Sequence, residues 1–177
     1  KNVQFSAARM QNVEFLEVHS INRNSLDWRF DNPNGNIDST AMCSALESTA
    51  DGYYGIPNDV YIMDLGADSA LDRRYVKIQF LNAIGGMYQF LWGYVYDSSQ
   101  YYITKIQTKP EYNYAYFSFA QRKLVQNEVL QSRNWDVVFT TYKEGSPDEN
   151  GLIYDYVIRG ALIRPNKISV VQIGNTA

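Results

Sequence analysis

Trp135-Asp-Val-Val-Phe-Thr-Thr-Tyr142 sets the reading of the whole chain. Side chains alternate along a strand, so Trp135, Val137, Phe139 and Thr141 share one side, and Asp136, Val138, Thr140 and Tyr142 the other. The first side is heavily apolar and the second is mixed. A second strand is expected over 152–163, after a polar connection ending in Asn150-Gly151, residues that accept positive φ. The pair reads as a hairpin with a long loop. The remaining segments are expected to pack against it.

Upstream, period-two patterning recurs. Residues 60–65, 75–81, 88–96, 101–107 and 112–119 read as strands, with turns at Gly85-Gly86 and Ser98-Ser99-Gln100. In 75–81, Val76, Ile78 and Phe80 are expected inward, Lys77 and Gln79 outward. Residues 13–18 and 26–30 read as short strands, the latter with Leu26, Trp28 and Phe30 on one face. Ala41, Met42, Ala45 and Leu46 stand at helical spacing behind Ser39 or Thr40, so 40–48 is expected as a short helix. Residues 31–39, containing Pro33-Asn34-Gly35, and 50–59, containing Gly52, Gly55 and Pro57, read as loops. The polar stretch 121–132 ends the run of strands, and 168–173 is expected as a closing strand. Turn residues at intervals of about eight to twelve positions point to an all-β fold. It is expected to be an antiparallel β-sandwich or partly closed barrel with at most one short helix.

The 177 residues suit a single domain over 1–177, large enough for a core without covalent staples. A net charge of -3 has the wrong sign for docking on phosphates, and Arg73-Arg74 and Arg122-Lys123 are isolated pairs. No nucleic-acid partner is therefore expected. The lone cysteine, Cys43, forms no internal disulfide and reads as a small buried apolar side chain. No apolar run is long enough to cross a bilayer. The chain begins at Lys1 rather than Met and shows no signal peptide, so a removed leader or a longer precursor is expected. Its 15 Tyr and 8 Phe favour strands with half-buried surfaces.

No catalytic residue is assigned. His19 is the only histidine and no Gly-x-Ser-x-Gly exists, which weakens a serine hydrolase. One His and one Cys do not make a zinc site, and no metal site is assigned. No glycine-rich phosphate loop is present, and the oxygen-rich 31–39 departs from EF-hand offsets. Asp136, beside Trp135, is the carboxylate most suggestive of paired-carboxylate hydrolysis; capping of backbone N–H groups at a strand edge accounts for it as well. One feature goes beyond a core pattern. Tyr88, Phe90, Trp92, Tyr94 and Tyr96 fall on one face of one strand, opposite Gln89, Leu91, Gly93 and Val95. As a platform for a sugar or a porphyrin, this stripe makes Tyr88, Trp92, Tyr94 and Tyr96 candidate ligand-binding residues. As packing, it is the core face of a central strand.

Several stretches resemble one family. Tyr116-Phe-Ser-Phe119 followed by Asn134-Trp-Asp-Val-Val-Phe139-Thr-Thr-Tyr142 is similar to the Tyr-Phe-Ser…Trp-Asp-(Ile/Val)-x-Phe signature of HmuY-like proteins. Val60-Tyr-Ile-Met-Asp-Leu65 with Tyr75-Val-Lys-Ile-Gln-Phe80 resembles that family's Val-Tyr-Val…Tyr-x-Lys-Ile-x-Phe strand pair. Val157-Ile-Arg-Gly-Ala-Leu-Ile-Arg-Pro-Asn166 resembles a Val-x-Gly-x-Leu-x-Asn-Pro ending, with Pro and Asn exchanged. The order departs from the haem binders, in which the Trp-Asp motif comes first. The chain thus reads as a permuted or divergent member, with Leu26-Asp-Trp-Arg-Phe30 as a degenerate earlier copy. The resemblance implies an all-β surface or periplasmic lipoprotein of the kind found in Bacteroidetes, with haem held between axial His or Met ligands. A His pair is missing here. The remaining candidates for an axial ligand are His19, Met42 and Met87, with Met10 and Met63 behind them.

Three expectations result. The first is a non-enzymatic ligand-binding lipoprotein of the cell envelope, at the outer membrane, on the cell surface or in the periplasm. Its small-molecule ligand would be haem or a glycan, its partner a TonB-type outer-membrane transporter, and its membrane contact a lipid anchor outside this chain. The second is a carbohydrate-binding or adhesive β-sandwich without a cofactor. The third and last is a hydrolase using Asp136 and a second acid.

Overall fold

The run Tyr75-Val-Lys-Ile-Gln-Phe-Leu-Asn-Ala-Ile84 is rich in β-branched and aromatic residues and is extended throughout. It is the spine of the fold. The structure, a computed structural model, describes residues 6–30, 40–66, 71–97, 99–109, 115–125, 137–147 and 153–163. In chain order the strands begin with β1 (Ser6–Gln11), β2 (Trp28–Arg29), β3 (Leu46–Thr49), β4 (Gly52–Gly55) and β5 (Asp59–Asp64). A single helical turn, α1 (Leu71–Arg74), leads into β6 (Tyr75–Ile84), β7 (Met87–Tyr94) and β8 (Tyr102–Gln107). Then come β9 (Tyr116–Ser118), β10 (Lys123–Val125), β11 (Val137–Pro147) and β12 (Ile153–Ile163). The fold is all-β and antiparallel, and its sheets are not closed into a barrel.

One edge of β6 pairs with β7, from Val76 opposite Tyr94 to Ile84 opposite Met87, and β7 pairs in turn with β8. The turn between β6 and β7 is Gly85-Gly86, with φ of 58° and 75°. Two consecutive positive φ values match the twist of a two-residue hairpin, and glycine adopts them without steric cost. The other edge of β6 is shared. β5 takes Tyr75 to Ile78, while β4 takes Asn82 and Ala83. β5 carries β1 and β2 outward, and β4 carries β3. Where the edge changes hands the register of β6 against β7 slips by one residue, between Phe80 and Asn82. The backbones crowd there: a Cβ on Gly55 would collide with the Phe80 carbonyl.

Alternation sorts the sheet into two buried faces. On the first, Tyr61, Met63, Val76, Ile78, Phe90, Trp92 and Ile106 form a cluster covered by Ala45 and partly by Met42, Phe117 and Phe119. On the second, Val60, Ile62, Tyr75 and Val95 pack under Phe15 and Val18, with Leu26 and Trp28 at the margin. Fully burying one such aliphatic side chain is worth about 1.5–3 kcal/mol, so the two faces together hold the sheet.

Several expectations change. Residues 13–18 are not a strand: Phe15–Glu17 is a 3₁₀ turn. Phe15 and Val18, three apart, both enter the core, whereas Leu16 is 55% exposed. That spacing belongs to a helical turn and not to period two. Residues 40–48 form turns closed by Cys43 N–H on the Thr40 carbonyl and Ala45 N–H on that of Met42, and then β3; the expected loop 50–59 contains β4. A two-residue hairpin, Ala50-Asp51, links them. Cys43 is exposed, and Ala45 takes the buried position. Lys77 points inward. Lys123–Val125, expected to end the run, pairs with β9. The hairpin of β11 and β12 is longer than expected, since β11 runs on through Pro147, and among the described residues it pairs only with itself. The large sheet is thus built on β6 and not on that hairpin. The 31–39 loop, Trp135, Asp136 and the expected strand 168–173 lie outside the described residues.

Candidate functional site

Trp92 is the middle of the aromatic stripe and is 0% exposed. Tyr102 stacks on it at 4.7 Å between ring centroids, Phe119 meets it edge-on at 5.0 Å, and Phe117 and Tyr94 stand at 5.8 and 5.9 Å. Its Nε1–H donates to Thr104 Oγ1 at 2.9 Å, which satisfies the one polar atom of the indole. Trp92 is therefore enclosed, and Tyr94 is half-buried against the same cluster. The stripe does not extend to Tyr96. Pairing of β7 ends at Tyr94, the Asp97 N–H folds back to the Tyr94 carbonyl, and the Tyr96 ring meets Tyr75, a member of the second-face cluster. The expected flat plate of five rings is thus broken at its centre by burial and at one end by a turn.

The other end stays open. Residues directly opposite one another in antiparallel strands share a face. Ser48, Tyr53, Ala83, Tyr88 and Ile106 are successive partners across β3, β4, β6, β7 and β8, so they form one row on the first face. Tyr53 is 53% exposed and Tyr88 39%, while Ala83 and Ile106 between and beside them are buried. Two tyrosines thus flank an alanine floor. They stand two strands apart, about 10 Å between backbones. Their hydroxyls have no hydrogen-bond partner among the described residues. Behind the floor lie Phe80 and Phe90, ring against ring at 6.0 Å. The turn next to Tyr88 is fastened to the end of β8: the Thr108 N–H and hydroxyl both donate to the Gly86 carbonyl at 2.8 Å. Of the candidate binding residues read from the sequence, only Tyr88 belongs to this site. Tyr53 and Ala83 were missed. Tyr53-Tyr54 between two glycines is the available signal, and it lies in a segment whose glycines and proline predict a loop.

The other chemically notable groups are structural. Asp64 is buried and takes Arg74 through both oxygens at 2.8 Å, the Gly66 N–H at 2.9 Å and Arg23 at 3.4 Å. Burial alone would raise its pKa; the Arg74 and Gly66 hydrogen bonds and the Arg74 and Arg23 charges outweigh it and hold the carboxyl below its ordinary value. Asp59 pairs with Arg9 at 2.7 Å. Beside them the Tyr61 hydroxyl is buried; burial pushes its pKa up, and the Arg9 charge and the nearby Ser44 hydroxyl offset only part of that. Lys77 is 2% exposed and donates to the carbonyls of Phe15 at 3.0 Å and Val18 at 2.8 Å. Burial lowers its pKa.

The axial-ligand candidates are dispersed. His19 is exposed just after Val18 of the second-face cluster, Met42 packs on the first-face cluster, and Met87 is exposed where β7 begins. Met10 lies against the second face and Met63 in the first. Among the described residues no group of three His, Cys, Asp or Glu is placed to hold a metal ion. No family model, no curated protein and no solved structure matches the chain.

Proposed function

We propose that this chain is a non-enzymatic ligand-binding module of the cell envelope, tethered there by a lipid anchor outside the present sequence and serving a TonB-type transporter. The observation that carries the binding reading is the open end of the first face. Large rings stay in solvent there on a fixed sheet, while the rest of that face is covered. An exposed aromatic pair over an apolar floor suits a small molecule presenting a ring. The described buried carboxylates support binding over hydrolysis, because Asp59 and Asp64 are each engaged by arginine. The envelope location rests on the HmuY-like resemblance of the Tyr-Phe-Ser and Trp-Asp motifs. Titration with hemin, followed at the Soret band in both redox states, and affinity electrophoresis through a panel of polysaccharides test the reading together. Retardation by one polysaccharide or a saturable Soret shift is expected. Neither effect, at micromolar hemin and at milligram-per-millilitre glycan, would overturn it.

A further inference from the structure

We infer that Tyr53 and Tyr88 form a clamp for one ring of an uncharged saccharide, with Ala83 as its floor. This inference rests on the binding reading above and narrows its ligand. The backbones that carry the tyrosines are about 10 Å apart, and a guest needs about 3.5–4 Å to each aromatic face; Ala83 between them is 9% exposed, so the guest rests mainly on the two rings and only lightly on the floor. The floor is low because alanine is the smallest side chain that still gives an apolar surface, and Phe80 and Phe90 stop the guest from sliding inward. The two tyrosine hydroxyls and Ser48 supply polar atoms at the rim, which a ring bearing hydroxyls can pair.

Charge decides the class. The row Ser48–Tyr53–Ala83–Tyr88–Ile106 contains no ionisable acid or base apart from the phenols, and neither does the row behind it at Phe80 and Phe90. Within these two rows of described residues a phosphate, a uronic acid or a haem propionate finds no cation, and a haem iron no His, Met or Cys. A neutral pyranose asks for neither.

Isothermal titration with neutral linear hexasaccharides of α-1,4- and β-1,4-linked glucose tests the clamp, with a uronic-acid hexasaccharide and hemin run in parallel. Tyr53→Ala and Tyr88→Ala are each expected to weaken binding of the neutral sugar about tenfold or more, and Ala83→Phe to abolish it. Tyr101→Ala removes an equally exposed tyrosine from the opposite face and is expected to leave binding unchanged. Thermal melts confirm that each variant folds. Equal affinity in wild type, Tyr53→Ala and Tyr88→Ala would overturn the clamp while leaving the binding reading standing. Binding of hemin or the acidic sugar alone would overturn the saccharide class, again without touching that reading. Binding of nothing in the panel would end both.

Discussion

Lys77 donates from a buried ammonium to two carbonyls that the short turn Phe15–Glu17 leaves unpaired. Lys77→Met keeps the apolar stem and removes the donors, so a loss of about 2–4 kcal/mol is expected in urea denaturation. A loss below about 1 kcal/mol would show the carbonyls to be satisfied otherwise. This residue was not legible in the sequence: a lysine at an alternating position reads as outward, and its partners lie 59 and 62 positions away. Asp64 makes a separate prediction. Its folded-state pKa lies below the ordinary 3.8, so the folded state binds fewer protons than the unfolded one in that window. The stabilisation is full above pH 3.8 and is lost as the pH falls below it, through the folded-state value. Asp64→Asn is expected to destabilise the protein at neutral pH and to flatten its stability profile on the acid side. A variant whose acid limb matches wild type would contradict this assignment.

At the level of elements, the shared edge of β6 depends on Gly55. A methyl group there meets the backbone of β6 and no flexible side-chain tip, so the strand must lift. Gly55→Ala is expected to cost about 2–4 kcal/mol. Amide exchange should show why: protection is lost at Tyr53 and Tyr54 but kept from Tyr61 to Asp64, which pair with β6 elsewhere. Uniform loss along both strands would argue against a local clash. The central strands were legible because Val76, Ile78, Phe90 and Trp92 alternate without interruption. The first 3₁₀ turn and the β3–β4 hairpin were not. Phe15 and Val18 mimic alternation over too few residues, and Gly52 and Gly55 read as loop residues although they are the first and last residues of β4.

Across the molecule, the aromatic stripe divides into a load that holds the fold and a remainder that does not. Trp92→Ala is expected to lower stability by about 3–5 kcal/mol, since it empties the centre of a packed cluster. Tyr88→Ala, at an exposed end, is expected to cost less than about 1 kcal/mol. Thermal melts of the two separate these roles, and equal losses would refute the division. Alternation puts Tyr88, Phe90, Trp92 and Tyr94 on one face, but it extends the stripe wrongly to Tyr96, which a turn carries to the other side. It was silent on which end is roofed, because Phe117, Phe119 and Ala45 arrive from distant segments. The divided edge of β6 has a mechanical corollary. Tyr88 rides on a strand stitched to the spine along its length, while Tyr53 rides on a flap held by two residue pairs. The two sides of the open end are thus tied to the spine unequally, by eight residue pairs on one side and two on the other, so a pull across the sheet would part it first at Tyr53.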